Sequence, residues 1–458
     1  MEVEMVNEIL RRHNKFYKTG VTKSLNYRIN QLEILRAVIH KYEDEVMEAL
    51  FKDLKKPEFE AYAHEVGYVL DSITYALKHL ENWTTERSVK TPLHQPFSKA
   101  VVKNEPYGTV LIIAPFNYPF QLLIEPLIGA IAAGNTAVLK PSNQTPYTEA
   151  IIKKMMIEVF DENYISVVTG GREVVTELIH SPFDYIFFTG SESTGKVVMR
   201  AAADHLVPVT LELGGKSPTV VHEDAVIETA AKRIVWGKYL NAGQTCVAPD
   251  YVYVHESKAD EFIDSVIKHI IEFYGVLPQN SPDYGRLVNQ ATVKRLAGLI
   301  DHDKVIMGGQ YDIEGCYMAP TVMKGVNWSD KIMSEEIFGP ILPILTYNSL
   351  DEIIDVISNK PKPLAFYLFT ESVVVQEHLL ESLSYGGAAI NDTVSQVGSP
   401  HMPFGGVGAS GMGSYHGETS YRTFSHEKSI LKKSSKFDVK MIYPPYKNRL
   451  HWVKKILK

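Results

Sequence analysis

The chain has 458 residues, 45% hydrophobic and 22% charged, with a formal net charge of −7. That length exceeds one compact core and predicts two large domains with a smaller appendage, the composition excludes a disordered chain, and the negative balance gives no basic footprint for nucleic acid. Two cysteines, Cys246 and Cys316, cannot build a disulfide framework and suit a reducing, cytoplasmic setting.

The first residues, Met1-Glu2-Val3-Glu4-Met5, carry acids where a secretory leader would carry a basic flank. From Leu25 to about Trp83, Ile29, Leu32, Leu35 and Ile39, then Val66, Leu70, Ile73, Leu77 and Leu80, keep a helical period and predict amphipathic helices. From Thr109 short apolar runs alternate with helical segments: Val110 to Ala114, Ala137 to Lys140, Ile165 to Thr169, Tyr185 to Thr189 and Val207 to Leu213. Such a series predicts a doubly wound parallel sheet with ligand sites at the carboxyl ends of its strands. A second α/β series is expected from strands at Thr219 to His222, Tyr251 to His255, Ile341 to Tyr347, Leu364 to Thr370 and Gly387 to Asn391. Ser88 to Lys103 and Ser414 to Lys433 are extended, polar and fit neither series. The longest apolar stretches are broken by Pro, Gly or Glu before they reach spanning length, so no transmembrane segment is expected. The basic tail Arg449 to Lys458 interleaves apolar residues; it reads first as a solvated terminus and second as a weak contact with an anionic membrane surface.

Chemistry concentrates in a few turns. Val209-Thr210-Leu211-Glu212-Leu213-Gly214-Gly215-Lys216 delivers a carboxylate onto a Gly-Gly turn, and Asn241-Ala242-Gly243-Gln244-Thr245-Cys246 sets a thiol among small and amide residues that suit an exposed reactive turn. A lone Cys is ordinarily a small buried hydrophobe; with a thiol pKa of ~8.5, a nucleophilic one needs a partner such as Glu212. Phe188-Thr189-Gly190-Ser191-Glu192-Ser193-Thr194-Gly195 closes the fourth strand and opens a helix, whose free N–H groups suit a pyrophosphate, although the same pattern serves as a plain turn. Lys140-Pro141-Ser142-Asn143 follows the second strand, where an adenosine ribose lies in such sheets. Asn117 sits in a turn stiffened by Pro115 and Pro119. No His or Cys spacing of metal-ligand type lies near Cys246, and no metal is expected.

Taken in order, Ile113-Ala114-Pro115-Phe116-Asn117-Tyr118-Pro119, Phe188-Thr189-Gly190-Ser191, Glu212, Cys246, Glu336-Ile337-Phe338-Gly339-Pro340 and Pro403-Phe404-Gly405-Gly406-Val407-Gly408 resemble the aldehyde dehydrogenase superfamily from end to end. The glycine-rich run to Gly417, Thr423-Phe424-Ser425-His426, the short N-terminus and Tyr443-Pro444-Pro445-Tyr446 resemble its class 3 branch. The resemblance implies an α/β, aldehyde dehydrogenase-like fold. It has a Rossmann-type doubly wound cofactor domain (1–84 and 104–211), a second α/β catalytic domain (212–413), a small oligomerisation arm (85–103 and 414–440) and a tail (441–458).

For the site, the resemblance implies that Cys246 is the nucleophile and Glu212 the water-activating base. Asn117 and the Cys246 N–H form an oxyanion hole, in which losing one donor typically costs ~10² to 10³ in rate. Gly190, Ser191 and Gly195 correspond to the pyrophosphate site, Lys140, Ser142 and Asn143 to the adenosine ribose, and Glu336 with Phe338 to the nicotinamide ribose. The implied reaction is NAD- or NADP-dependent oxidation of a medium- to long-chain aliphatic or an aromatic aldehyde by a homodimer, through a thiohemiacetal and a thioester. At the position of Asn143 the family usually has Glu, whose charge would repel a 2′-phosphate, so the departure opens the site to NADP. A reductive relative acting on acyl-phosphate or acyl-CoA would need no Glu212, and a cofactor-binding structural protein would need neither Glu212 nor Cys246.

Overall fold

Continuous apolar runs, buried on both faces, build two parallel sheets. The computed structural model describes residues 2–92, 95, 97–437 and 442–456; positions 93, 94, 96 and 438–440 of the expected arm, and 441, 457 and 458 of the expected tail, lie outside the described residues. In the first sheet the strand order is Gly411–Met412, Val209–Glu212, Tyr185–Thr189, Thr109–Ile113, Thr136–Lys140, Ile165–Val167. All are parallel except Gly411–Met412. Thr109–Ile113 is central, and its side chains alternate between two cores: Val110 and Ile112 pack against one layer of helices, Leu111 and Ile113 against the other. The direction of strand addition reverses between Thr109–Ile113 and Tyr185–Thr189, and the crevice beyond their carboxyl ends is where doubly wound sheets receive ligands.

The second sheet runs Val305–Met307, Thr321–Lys324, Ile341–Tyr347, Tyr251–His255, Pro218–Val221, Ala365–Phe369, Gly387–Ile390. Only Val305–Met307 is antiparallel. Its core includes Val220, Val252, Phe262, Leu342 and Phe366, contributed by the strands and the helix Ala259–Tyr274. A third, antiparallel sheet joins Arg87–Val89, Ser98–Pro106 and Ser425–Lys433, the last two pairing from Ser425 with Pro106 to Lys433 with Ser98.

Every strand expected in the two α/β series is present, and the structure adds elements that were not expected, among them the parallel strand Thr321–Lys324 of the second sheet. The helix Glu2–Lys18 precedes the first one anticipated; in a largely polar segment it buries Val6, Ile9 and Leu10, one narrow stripe against the first sheet. Gly411–Met412 and Val305–Met307 are too short to display a period. The first part of 414–433 is not extended: Gly417–Thr423 is a helix whose Ser420 and Tyr421 are buried, packed on Gln121–Ala133, so only Ser425 onward belongs to the three-stranded arm. Its glycine-rich, hydroxyl-rich approach hid that helix, which tertiary packing rather than propensity holds.

Candidate active site

Glu212 ends Val209–Glu212, between Thr189 and Gly411 of the neighbouring strands. Its carboxylate is buried, and among the described residues neither oxygen has a hydrogen-bonding partner. Burial alone therefore holds its pKa well above the usual carboxylate range.

Cys246 follows a turn, Leu240–Gly243, in which Asn241 and Ala242 adopt left-handed φ of 52° and 53°. Gly243 is left-handed too, and a Cβ there would stand 2.4 Å from the Gly339 backbone, so the turn lies flat on the Phe338-Gly339-Pro340 loop. The turn is buried, not exposed as its polar sequence leads one to expect. Cys246 is partly buried, in the wall of a cavity of about 610 Å³ lined also by Tyr68, Tyr118, Trp236, Phe404 and Tyr415. Burial pushes the thiol pKa up to about 12, with the charges of Glu336 and Glu212 adding to it, while the N–H groups of Cys246 and Val247 pull it back. Cys316, by contrast, sits in the hairpin turn between Tyr311–Asp312 and Tyr317–Met318.

Asn117 is buried beyond the end of Thr109–Ile113. Its Nδ2 donates to the Gln244 carbonyl at 3.0 Å, which commits one amide hydrogen and leaves the other. In return its own carbonyl accepts from Asn241 Nδ2 at 2.8 Å and from Lys56 Nζ at 3.0 Å. The adjacent Tyr118 hydroxyl meets Thr245 Oγ1 at 2.8 Å. Asn117 is thus bonded to the turn that leads to Cys246, and the charge of Glu212 is felt at the thiol.

A second cavity, of about 590 Å³, is lined by Ser191, Ser193, Gly214, Gly215, Lys216 and Glu336, among others. Ser191 caps the helix Glu192–Ala203, its Oγ accepting the Thr194 N–H at 3.4 Å, and the buried Thr189 hydroxyl just before it has no partner among the described residues. Gly195 packs where a Cβ would meet Leu213 at 2.7 Å. The Glu336 carboxylate folds onto the Gly214-Gly215 turn, occupying the space a Cβ on Gly214 would need. Burial foremost, and then Asp250, raise its pKa to about 8 against the Gly215 N–H, Lys216 and Arg295. Phe338, itself left-handed at φ 49°, packs edge-on to Phe116 at 5.9 Å.

Lys140 is buried at the end of Thr136–Lys140, its ammonium donating to the Pro141 carbonyl at 2.5 Å, and burial lowers its pKa. Ser142 is buried and accepts the Gln144 N–H; Asn143 is exposed at the same strand end, near Gly171. These three therefore lie apart from the thiol, at the next strand over. Among the described residues no group of three or more His, Cys, Asp or Glu is arranged to hold a metal ion.

Sequence reasoning missed the aromatic wall, whose members come from distant segments. It also missed the role of Lys216, whose ammonium reaches Asp250 Oδ2 at 2.6 Å and the carbonyls of Ile332 and Glu335, tying down the loop that carries Glu336. Lys56 and Glu65 were missed as well. Glu65 interrupts an apolar helical stripe between Ala61 and Val69, and a charge on a buried face was the available clue.

Residues 2–430 match the model of the aldehyde dehydrogenase family. The chain is 53% identical over 445 residues to 4,4'-diaponeurosporen-aldehyde dehydrogenase of Staphylococcus aureus, covering 97% of each. It is 41% identical to the dimeric NADP-preferring aldehyde dehydrogenase of Rattus norvegicus, covering 96% of this chain and 98% of that one. A solved structure of Staphylococcus aureus AldH in a substrate-bound state superposes with a TM-score of 0.97 at 51% identity, covering 99% of both chains.

In the ligand-free protein, the rate of iodoacetamide labelling of the Cys246 peptide, followed by mass spectrometry, should keep rising from pH 7 to 10 without levelling, because a thiol held near 12 stays almost wholly protonated there. The rise should be less than tenfold per pH unit around pH 8, where Glu336 ionises. Glu336→Gln removes a neighbouring anion, lowers the thiol pKa and should accelerate labelling. The gain should be small at pH 7, where Glu336 is largely protonated, and grow above pH 8. A plateau below pH 8.5 in the wild type would contradict this electrostatic picture.

Proposed function

The chain belongs to the aldehyde dehydrogenase family and oxidises aldehydes with NAD or NADP, and from that premise we propose that its substrates are apolar, medium- to long-chain aliphatic or aromatic aldehydes processed by Cys246, Glu212 and Asn117. The observation that carries this reading is the cavity around Cys246, whose aromatic wall removes an apolar chain from water next to the thiol. The name of the Staphylococcus aureus relative, which gives 4,4'-diaponeurosporen-aldehyde as what it acts on, supports the same substrate class.

In the proposed chemistry the Cys246 thiol gives its proton to water, the resulting thiolate bonds to the aldehyde carbon, and the carbonyl electron pair moves onto oxygen. The free hydrogen of Asn117 Nδ2 and the Cys246 N–H donate to that oxyanion. Bound nicotinamide supplies the acceptor for the hydride whose departure turns the thiohemiacetal into a thioester. Glu212 then removes a proton from water as its oxygen bonds to the thioester carbon; the C–S bond breaks, the acid leaves and the thiol is regenerated. Burial raises the Glu212 pKa above the usual carboxylate range, which makes its ionised form a stronger base toward water. The presence of Glu212 also argues against a reductive acyl-phosphate or acyl-CoA enzyme, which would need no water-activating base.

The residues fit the cofactor. The partnerless Thr189 hydroxyl and the start of Glu192–Ala203, with Gly190, Ser191 and Gly195, would hold the pyrophosphate. Lys140, Ser142 and Asn143 would hold the adenosine ribose, and Glu336 and Phe338 the nicotinamide ribose. On this reading 1–84 and 104–211 form the cofactor domain and 212–413 the catalytic domain. The arm pairs subunits in a homodimer, as the exposed Val89 and Leu431 of its sheet and the name of the dimeric rat relative support. Among the described residues no helix is long and apolar enough to cross a membrane. Two unpaired cysteines favour a cytoplasmic location, and the exposed Leu450 and Trp452 beside Lys454 and Lys455 favour weak contact of the tail with an anionic membrane surface.

Rapid-quench kinetics on Glu212→Gln should give a stoichiometric NADH burst followed by slow acid release, and Cys246→Ser no burst, with wild-type kcat/KM rising from two-carbon to about ten-carbon aldehydes as apolar area is buried. Equal loss of burst and steady-state rate in Glu212→Gln would move Glu212 to thiol activation, and a preference for two-carbon substrates would remove the apolar assignment.

For the cofactor, NADP should be used within about tenfold of NAD, ~1.4 kcal/mol, because Asn143 is an exposed neutral amide at the strand end that carries Lys140. Asn143→Glu should depress NADP use far more than NAD use. Rejection of NADP by several hundredfold, or an unchanged ratio in the variant, would show that Asn143 does not face the ribose.

A further inference from the structure

The segment from Lys56 to Val66 belongs to neither sheet, yet its charged side chains hold the turns on both sides of the nucleophile. It contains a π-helical turn, Tyr62–Val66, an uncommon element that recurs at functional sites. Lys56 and Glu65 form an ion pair with no exposed side-chain surface on either partner. Lys56 Nζ also donates to the Asn117 carbonyl and stands 4.1 Å over the Tyr118 ring. Glu65 Oε2 accepts the N–H groups of Phe120 and Gln121, each at 2.9 Å, at the start of Gln121–Ala133. On the other side Glu60 Oε2 accepts the N–H of the left-handed Asn241 at 3.0 Å.

Two side chains thus grip three backbone groups, at 117, 120 and 121, of a single turn. A buried ion pair is a poor way to gain stability, since an apolar pair of similar volume usually does as well. What it supplies is direction. We propose that the Lys56–Glu65 pair is a positioning device for the oxyanion donor: by anchoring the Asn117 carbonyl and the turn after it, it aims the uncommitted Nδ2 hydrogen of Asn117 at the substrate oxygen. The inference rests on the reading of Asn117 as an oxyanion donor.

The test is Lys56→Met/Glu65→Gln, which removes both charges of the pair at similar volume, measured beside Asn117→Ala and the combined triple variant. Three quantities are read: the rate constant of the NADH burst, the rate of Cys246 alkylation, and cofactor affinity by fluorescence titration. The double variant should slow the burst ~10 to 100-fold, with alkylation and cofactor affinity within about twofold of wild type. The triple variant should be little slower than Asn117→Ala, because both changes act through one N–H group. A wild-type burst in the double variant, losses that add in the triple variant, or parallel losses in alkylation and cofactor affinity would each overturn the inference. If Asn117→Ala leaves the burst unchanged, the reading of Asn117 fails first and the positioning role fails with it. Should the double variant not fold, Glu65→Gln alone keeps a side chain of the same size and one acceptor oxygen; a slowed burst with normal alkylation supports the inference, and an unaltered burst overturns it.

Discussion

Two amide side chains, exchanged between turns of different sheets, fix the geometry on which the site depends. Asn117 Nδ2 donates to the Gln244 carbonyl, and Asn241 Nδ2 donates to the Asn117 carbonyl. Asn241 and Ala242, both left-handed, lie in the turn that carries these bonds and leads to Cys246. Gln244 extends the lock, its Nε2 donating to Arg286 O and its Oε1 accepting the Val288 N–H. A displacement of 1 Å at a reacting centre can cost ~10²-fold in rate, and these groups are buried, where their hydrogen bonds have no competition from water. The third loop is held separately. Asp250 accepts Lys216 on one oxygen and the Ile337 N–H on the other, so the Glu336 loop is tied to the second sheet.

Electrostatics explains why three acidic groups can share this space. Burial raises the pKa of Cys246, Glu212 and Glu336 alike, and the charges of Glu336 and Glu212 raise that of the thiol further. The thiol is therefore protonated at neutral pH in the resting site, and its ionisation calls for a change nearby. Glu336 is the group placed to provide it, since its carboxylate folds onto Gly214 and Gly215 at the edge of the second cavity. On the proposed reading, a ribose hydroxyl drawing that carboxylate away from the thiol would ease thiolate formation, and so link nucleophile activation to cofactor binding.

Most parallel strands were legible because each is a short apolar run between turn residues; the four-residue Thr321–Lys324 was not. The motif residues were legible because they sit at strand ends, where the doubly wound topology brings them together: Asn117 after Ile113, Gly190 after Thr189 and Glu212 at the end of its own strand. What stayed hidden depends on long-range packing. Tyr68, Trp236, Phe404 and Tyr415 come from four separate segments and form one wall only after folding. The thiol's burial was hidden for the same reason, since Asn-Ala-Gly-Gln-Thr is a polar sequence that the Phe338-Gly339-Pro340 loop covers. The Gly417–Thr423 helix was obscured by the glycines before it, and the Glu2–Lys18 helix by the width of its polar face.

The central claim is covalent: the aldehyde carbon is carried on Cys246 and released by Glu212. Its most direct measurement is peptide mapping by mass spectrometry after acid quench of the Glu212→Gln variant mixed with a ten-carbon aldehyde and NAD. Stoichiometric acyl mass on the peptide containing Cys246, absent without NAD and absent from the Cys316 peptide, is the predicted result. An active variant with no acyl adduct on Cys246, or with the adduct on any other residue, would contradict it.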